Sequence, residues 1–273
     1  MRDMRGLLAI DHDSGTQKVP QEAKLRGSDL QKSFGAIEAL NTTSLAVRSG
    51  EFVAIIGRSG CGKSTLLNLL AGLERPDRGT VELDGRDVTG QVGTFGYMPQ
   101  KDLLMPWRTV LDNTILGLEL AGTRRGAARA EALRWFPRFG LEGFERAYPS
   151  VLSGGMRQRA ALLRTFLAKR EVLLLDEPFG ALDAITRSDM QEWLLDVWES
   201  FARTVVLVTH DVDEAIFLAD RVYVMSPRPG RIVADLEVPL PRPRSYTDVV
   251  TSRPFNDLKH ELLARLHGSG EGR

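Results

Sequence analysis

The nine residues Gly57-Arg58-Ser59-Gly60-Cys61-Gly62-Lys63-Ser64-Thr65 constrain this chain more than any other stretch. They follow the apolar run Phe52-Val53-Ala54-Ile55-Ile56 and precede Leu66-Leu67-Asn68-Leu69-Leu70-Ala71. A short run that is apolar throughout reads as a strand buried on both faces, and the run after it reads as a helix. Between them lies G-x-x-x-x-G-K-[ST], a phosphate loop in the strand–turn–helix context it requires. The glycines let backbone N–H groups crowd around the β- and γ-phosphates of a nucleotide. Lys63 adds a point charge there, and the Ser64 hydroxyl is a ligand for Mg²⁺. The helix N-terminus contributes about half a positive charge at the same spot. An ordinary glycine turn is the alternative, and the flanking strand and helix weigh against it.

At 273 residues the chain is long enough for one large domain or two modest ones. Lys plus Arg and Asp plus Glu are both 36, so the balance gives no support for a nonspecific grip on nucleic acid. The single cysteine, Cys61, excludes a disulfide framework and fits a reducing compartment. No apolar run approaches the roughly 18 residues needed to span a bilayer. The chain reads as cytosolic, with any membrane association supplied by a partner.

Residues 1–24 read as a flexible extension. Residues 23–52 carry short antiparallel strands, and 80–83 form a strand ending in the Asp84-Gly85 turn signal. From 101 the periodicity is helical, with helices expected over 109–120 and 126–139, broken by Pro137, Gly140, Gly143 and Pro149. This is a helical subdomain, about 101–160, inserted into an α/β core that spans 25–238. Helices over 156–169, 187–201 and 212–219 then alternate with apolar strands at 172–175, 205–208 and 222–225. That alternation implies a largely parallel sheet covered on both faces. Residues 239–273 read as an extended Pro-Arg-Pro-Arg linker, an amphipathic helix over 255–266 and a glycine-rich tail.

Two further stretches carry chemistry. The strand 172–175 ends in Asp176-Glu177-Pro178. A carboxylate at that strand end is where Mg²⁺ needs an acidic partner, usually through water, and Asp176 takes that role. Glu177 then faces the γ-phosphate, where it can orient or deprotonate an attacking water. Alone, an Asp-Glu pair is more often a solvated strand end; the phosphate loop upstream tips the reading. Leu152-Ser153-Gly154-Gly155-Met156-Arg157-Gln158-Arg159 places a hydroxyl and bare amides at the start of a long helix, a second anion site as well as an N-cap.

Together these residues resemble the nucleotide-binding subunit of ABC transporters over about 25–233. The resemblance rests on the phosphate loop, Gln100, Leu152-Ser153-Gly154-Gly155, Asp176-Glu177, Ala181-Leu182-Asp183 and His210. It implies a P-loop NTPase RecA-like core with an antiparallel β subdomain and the helical insert, hydrolysing ATP with Mg²⁺. By the same resemblance Phe34 stacks on adenine, and Gln100 senses Mg²⁺ and the attacking water. His210 contacts the γ-phosphate and holds Glu177, and Asp183 sits at a dimer interface. Two copies would pair head to tail, with Ser153, Gly154, Gly155 and Gln158 of one covering the ATP of the other.

The insert opening, Lys101-Asp102-Leu103-Leu104-Met105-Pro106-Trp107-Arg108, is similar to the nitrate, sulfonate and taurine branch of bacterial importers. Met156 and Arg228-Pro229-Gly230-Arg231 fit that branch too. Importers of pyrimidine vitamin precursors share nearly the same insert and stay open. The implied partners are a second copy, a permease docked on the Leu103–Trp107 surface, and indirectly an extracytoplasmic solute-binding protein. That places the chain at the cytoplasmic face of the inner membrane. A nucleic-acid or ribosome ABC ATPase would carry paired cassettes or basic patches, and a P-loop kinase would leave Leu152–Gly155 and Asp183 unexplained. Intact Glu177 and His210 weigh against a subunit that binds ATP without turnover.

Overall fold

The computed structural model describes residues 23–268 apart from Ala181, Ser200 and Ala202. Most of the expected extension 1–24, the tail after 268 and Ala181 therefore lie outside the described residues. β1 (Leu25–Phe34) and β2 (Ile37–Val47) form a long antiparallel hairpin rather than several short strands. With β4 (Arg78–Leu83) and β5 (Arg86–Asp87) they make a four-stranded sheet in the order β2-β1-β4-β5. Asp84 and Gly85 both have positive φ, as the Asp-Gly turn between β4 and β5 requires.

The second sheet runs β10-β9-β3-β8-β7-β6. Its strands are β3 (Phe52–Gly57), β6 (Gly96–Met98), β7 (Val172–Asp176), β8 (Thr204–Thr209), β9 (Arg221–Met225) and β10 (Ile232–Glu237). All neighbours pair in parallel except β10, which returns antiparallel to β9. The period of two in a strand sorts each buried run onto two faces. Phe52, Ala54 and Ile56 of β3 join one hydrophobic cluster and Val53 and Ile55 the other. Leu173 and Leu175 of β7 likewise oppose Val172 and Leu174, so both faces are covered.

On one face α1 (Lys63–Leu70) packs between the two sheets. On the other lie α5 (Gly154–Leu167), α6 (Ala184–Glu199), α7 (Val212–Leu218) and α9 (Arg253–Gly268), with α8 (Tyr246–Val250) leading into α9. The insert holds α2 (Val110–Thr114), α3 (Leu116–Leu120), α4 (Arg125–Leu133) and a 3-10 turn, Pro149–Val151.

Two expected helices are shorter than their periodicity. The stretch 109–120 breaks at Ile115, where the Thr114 hydroxyl donates to the Leu111 carbonyl and bends the chain. The helix beginning at 125 stops at Leu133 because Pro137 cannot donate back to it, and the chain tightens through i−3 bonds from Arg134 and Trp135. The Pro-Arg-Pro-Arg stretch is no free linker. Arg244 is 4% exposed and Arg242 pairs with Asp220 at 2.8 Å, so both guanidiniums pin it to the core.

Candidate active site

In an open parallel sheet, ligands bind beyond the carboxyl ends of the strands. Here β3 ends in the phosphate loop, β7 in Asp176 and Glu177, and β8 in Thr209 and His210. Because these strands are adjacent, the expected residues meet in one cleft of about 430 Å³. Ser59, Gly60, Gly62, Lys63, Ser64, Thr65, Gln100, Glu177 and His210 line it.

The loop's shape follows from its glycines. Gly60 and Gly62 have φ of 76° and 110°, and a Cβ on Gly62 would lie 2.9 Å from the Ala39 carbonyl oxygen. Only glycine fits there. The first-turn amides of α1 have no acceptor within the helix, and the residues that carry them, Lys63, Ser64 and Thr65, line the cleft. Lys63 is buried, its Nζ donating to the Gly57 carbonyl at 2.8 Å and the Arg58 carbonyl at 3.3 Å. A phosphate oxygen is a charged and therefore stronger acceptor than either carbonyl.

Gln100 and His210 converge on a single oxygen. Gln100 Nε2 donates to Glu177 Oε2 at 3.1 Å, and His210 Nδ1 lies 3.2 Å from that same atom. Glu177 adopts φ of 44°, a left-handed conformation that costs a non-glycine residue energy. Its amide donates to the Val208 carbonyl at 2.9 Å, which ties the strained turn to β8. Beside it, Ser64 Oγ donates to Asp176 Oδ1 at 3.1 Å. Burial pushes the Asp176 carboxyl above the ordinary carboxylate range, against the Ser64 hydrogen bond that favours its ionised form.

A hydroxyl and a buried carboxylate form a hard oxygen set that suits Mg²⁺ completed by phosphate oxygens. Among the described residues no cluster of three or more His, Cys, Asp or Glu side chains could hold a metal without such help.

Other expected residues stand elsewhere. Phe34 is 45% exposed at the tip of the β1–β2 hairpin, outside the cleft lining, with the Lys32 ammonium 5.3 Å from its ring centroid. Gly57, Arg58 and Cys61 shape the loop without lining the cleft. The Cys61 side chain is turned into the core, where burial raises its thiol pKa, and a Cβ on Gly57 would meet its Sγ at 2.7 Å.

Ser153 caps α5, accepting from the Met156 amide at 3.2 Å, and Gly154 and Gly155 follow at its first turn. A Cβ on Gly155 would meet Thr186 at 3.1 Å, so this start packs against the segment after Asp183. Gln158 is a correction: it is 5% exposed, on the inward face of α5, and presents no surface to a second chain. Asp183 accepts from the Thr186 amide at 3.1 Å, and that hydrogen bonding holds its carboxyl below the usual range. Of the insert surface, Leu103 and Trp107 are 60% and 75% exposed, whereas Leu104 is buried.

Arg228 is a cleft residue that motif reading missed as such. Its Nη2 donates to the Gly60 carbonyl at 3.0 Å, and the segment it belongs to packs under the loop. A Cβ on Gly230 would fall 2.1 Å from the Cys61 carbonyl oxygen. The Arg-Pro-Gly-Arg sequence signals a turn, but not where that turn lands.

Residues 40–180 match the ABC transporter family. An uncharacterised ABC transporter ATP-binding protein of Methanocaldococcus jannaschii is 45% identical over 262 residues, 93% of this chain and 98% of that protein. A taurine import ATP-binding protein of Rhizobium johnstonii is 43% identical over 237 residues, 85% of this chain and 90% of that one. Import ATP-binding proteins for aliphatic sulfonates, nitrate and formylaminopyrimidine are 41%, 42% and 47% identical. A dimeric ATP-binding cassette solved after hydrolysis, with ADP and phosphate bound, superposes with a TM-score of 0.69. It is 30% identical, and the match covers 78% of this chain and 98% of that one. With a phosphate loop, a carboxylate pair and a histidine assembled in one cleft, the chain belongs to the ABC transporter ATP-binding subunits, in their nitrate, sulfonate and taurine branch.

Proposed function

We propose that this chain is the motor of an importer for a small anion such as a sulfonate, taurine or nitrate. It would act as a head-to-tail dimer that closes on ATP and Mg²⁺ and opens after hydrolysis. The observation that carries the chemistry is the shared hold of Gln100 and His210 on Glu177 Oε2. That hold fixes a carboxylate at the end of the phosphate cleft, where it can orient a water and take its proton. The other carboxylate oxygen is left for the water. Lys63 and the α1 amides bind the β- and γ-phosphates and offset the charge that develops on them. Ser64 and, through water, Asp176 would hold Mg²⁺, which neutralises phosphate charge when bound.

In the dimer, Ser153, Gly154 and Gly155 of one copy would cover the γ-phosphate on the other, and Asp183 would lie at the seam. The solved relative's dimeric state supports this arrangement. The names of the taurine, sulfonate and nitrate relatives support import of an anion, through a membrane permease and an external solute-binding protein. The formylaminopyrimidine relative, at 47% identity, favours a pyrimidine precursor as the second reading. No described helix is long and apolar enough to cross a membrane, so contact with the bilayer would pass through the permease.

Glu177→Gln tests this reading. ATP turnover should fall by about 10²–10⁴-fold, while the variant elutes as a dimer with saturating ATP and co-isolates with a polytopic membrane protein. A monomer under those conditions overturns the sandwich. Recovery with ribosomal or nucleic-acid partners and no permease overturns transport.

A further inference from the structure

The helix α7 starts two residues after His210 and is held at both ends. At its start Asp211 Oδ1 accepts from the Asp213 and Glu214 amides at 2.9 and 3.2 Å, and Oδ2 pairs with Arg187 Nη1 at 3.3 Å. The Asp211 amide in turn donates to Thr209 Oγ1 at 3.0 Å, so His210 sits between two anchored neighbours. At its end Arg244 Nη1 donates to the carbonyls of Ile216, Phe217 and Ala219, at 3.2, 2.8 and 2.9 Å.

From Arg244 the chain climbs back along α7. The Tyr246 ring meets Phe217 edge-on at 5.1 Å, and α9 buries Phe255 and Leu262 against the same core. One turn after Phe255, Lys259 Nζ reaches the Asp213 carboxylate at 2.7 Å, in the first turn of α7. That pair adds little to stability, since the two side chains are 38% and 36% exposed. Its effect is local. It fixes the turn whose cap runs straight into His210.

We infer that Lys259 is a positioning residue for ATP hydrolysis, acting through Asp213 and the Asp211 turn to keep His210 on Glu177. The C-terminal segment 239–268 is thereby a control strap. This rests on the role proposed above for His210 and Glu177.

The test uses the full chain, with Lys259→Ala, Lys259→Arg, Asp213→Asn and His210→Ala compared by steady-state turnover, ATP affinity and melting temperature. Lys259→Ala and Asp213→Asn should each lower kcat about three- to fivefold. KM, ATP affinity and melting temperature should hold, and Lys259→Arg should restore kcat. An unchanged kcat, or a fall that tracks a lower melting temperature, overturns the strap. Full activity in His210→Ala overturns the underlying role of His210 instead.

Discussion

Glu214 shows what a single side chain can do to this fold. It lies in the first turn of α7, 4% exposed, and its Oε1 has no hydrogen-bond partner among the described residues. Burial, reinforced by the nearby charge of Asp211, pushes its pKa up to about 8, so the carboxyl is held neutral near physiological pH. The unfolded chain releases that proton near 4.5. Between those values the folded state binds more protons than the unfolded one, so this group's contribution is full below about 4.5 and is lost as pH rises through about 8. Glu214→Gln titrates nothing. Urea denaturation should therefore show the variant gaining on the wild type as pH rises from about 5 to 8; parallel stability curves would mean that Glu214 is already ionised in the folded chain. Nothing in the sequence singles out Glu214, whereas Lys63, Asp176 and Glu177 were legible from residue type and motif spacing, and Gln100 and His210 through the family resemblance. The difference is physical. Motif residues act where the local backbone puts them, but Arg228 meets Gly60 across 168 residues, a contact that no local pattern encodes. Motif reading also names residues without naming atoms. Cys61 and Gln158 belong to their motifs, yet their side chains point into the core.

At the scale of elements, the buried parallel strands were legible because a run that is apolar throughout has one stable place in an α/β fold. β10 was not. Its burial alternates weakly at the sheet edge, and only its antiparallel pairing with β9 makes it a strand. The Pro-Arg-Pro-Arg stretch misled in a more instructive way, since proline and arginine together suggest solvent. Arg244 is instead the C-terminal cap of α7, its guanidinium donating to the three helix-end carbonyls and, through Nη2, to the Leu240 carbonyl at 3.0 Å. Burial pulls its pKa down to about 10, which leaves it charged and able to face the negative end of the helix. Arg244→Met would keep the bulk and strand those carbonyls without donors. The expected loss is about 2–4 kcal/mol by chemical denaturation. A loss under about 0.5 kcal/mol would show that water replaces the guanidinium.

Across the whole molecule, the cleft and the exposed surface of the insert are joined by one short segment. Gln100 holds Glu177 at one end, and Trp107 stands 75% exposed seven residues later. Between them the backbone is fastened to α5, with Arg164 donating to the carbonyls of Asp102 and Leu103 at 2.6 and 2.8 Å and Arg157 pairing with Asp102 at 3.3 Å. Because Ser153 caps α5, a push on this segment bears on the Glu177 hold and on the proposed γ-phosphate cover together. A large exposed tryptophan beside an exposed leucine is the kind of patch that a permease helix can bury. Trp107→Ala removes the patch without touching the core. Melting temperature and ATP affinity should stay at wild-type values, since exposed truncations move stability by only about 0.5 kcal/mol. In vesicles carrying the assembled transporter, ATP turnover should continue while solute uptake falls and turnover no longer responds to solute. If uptake and its coupling to ATP persist in Trp107→Ala, the permease docks elsewhere, and the short path from Gln100 to the surface carries no signal.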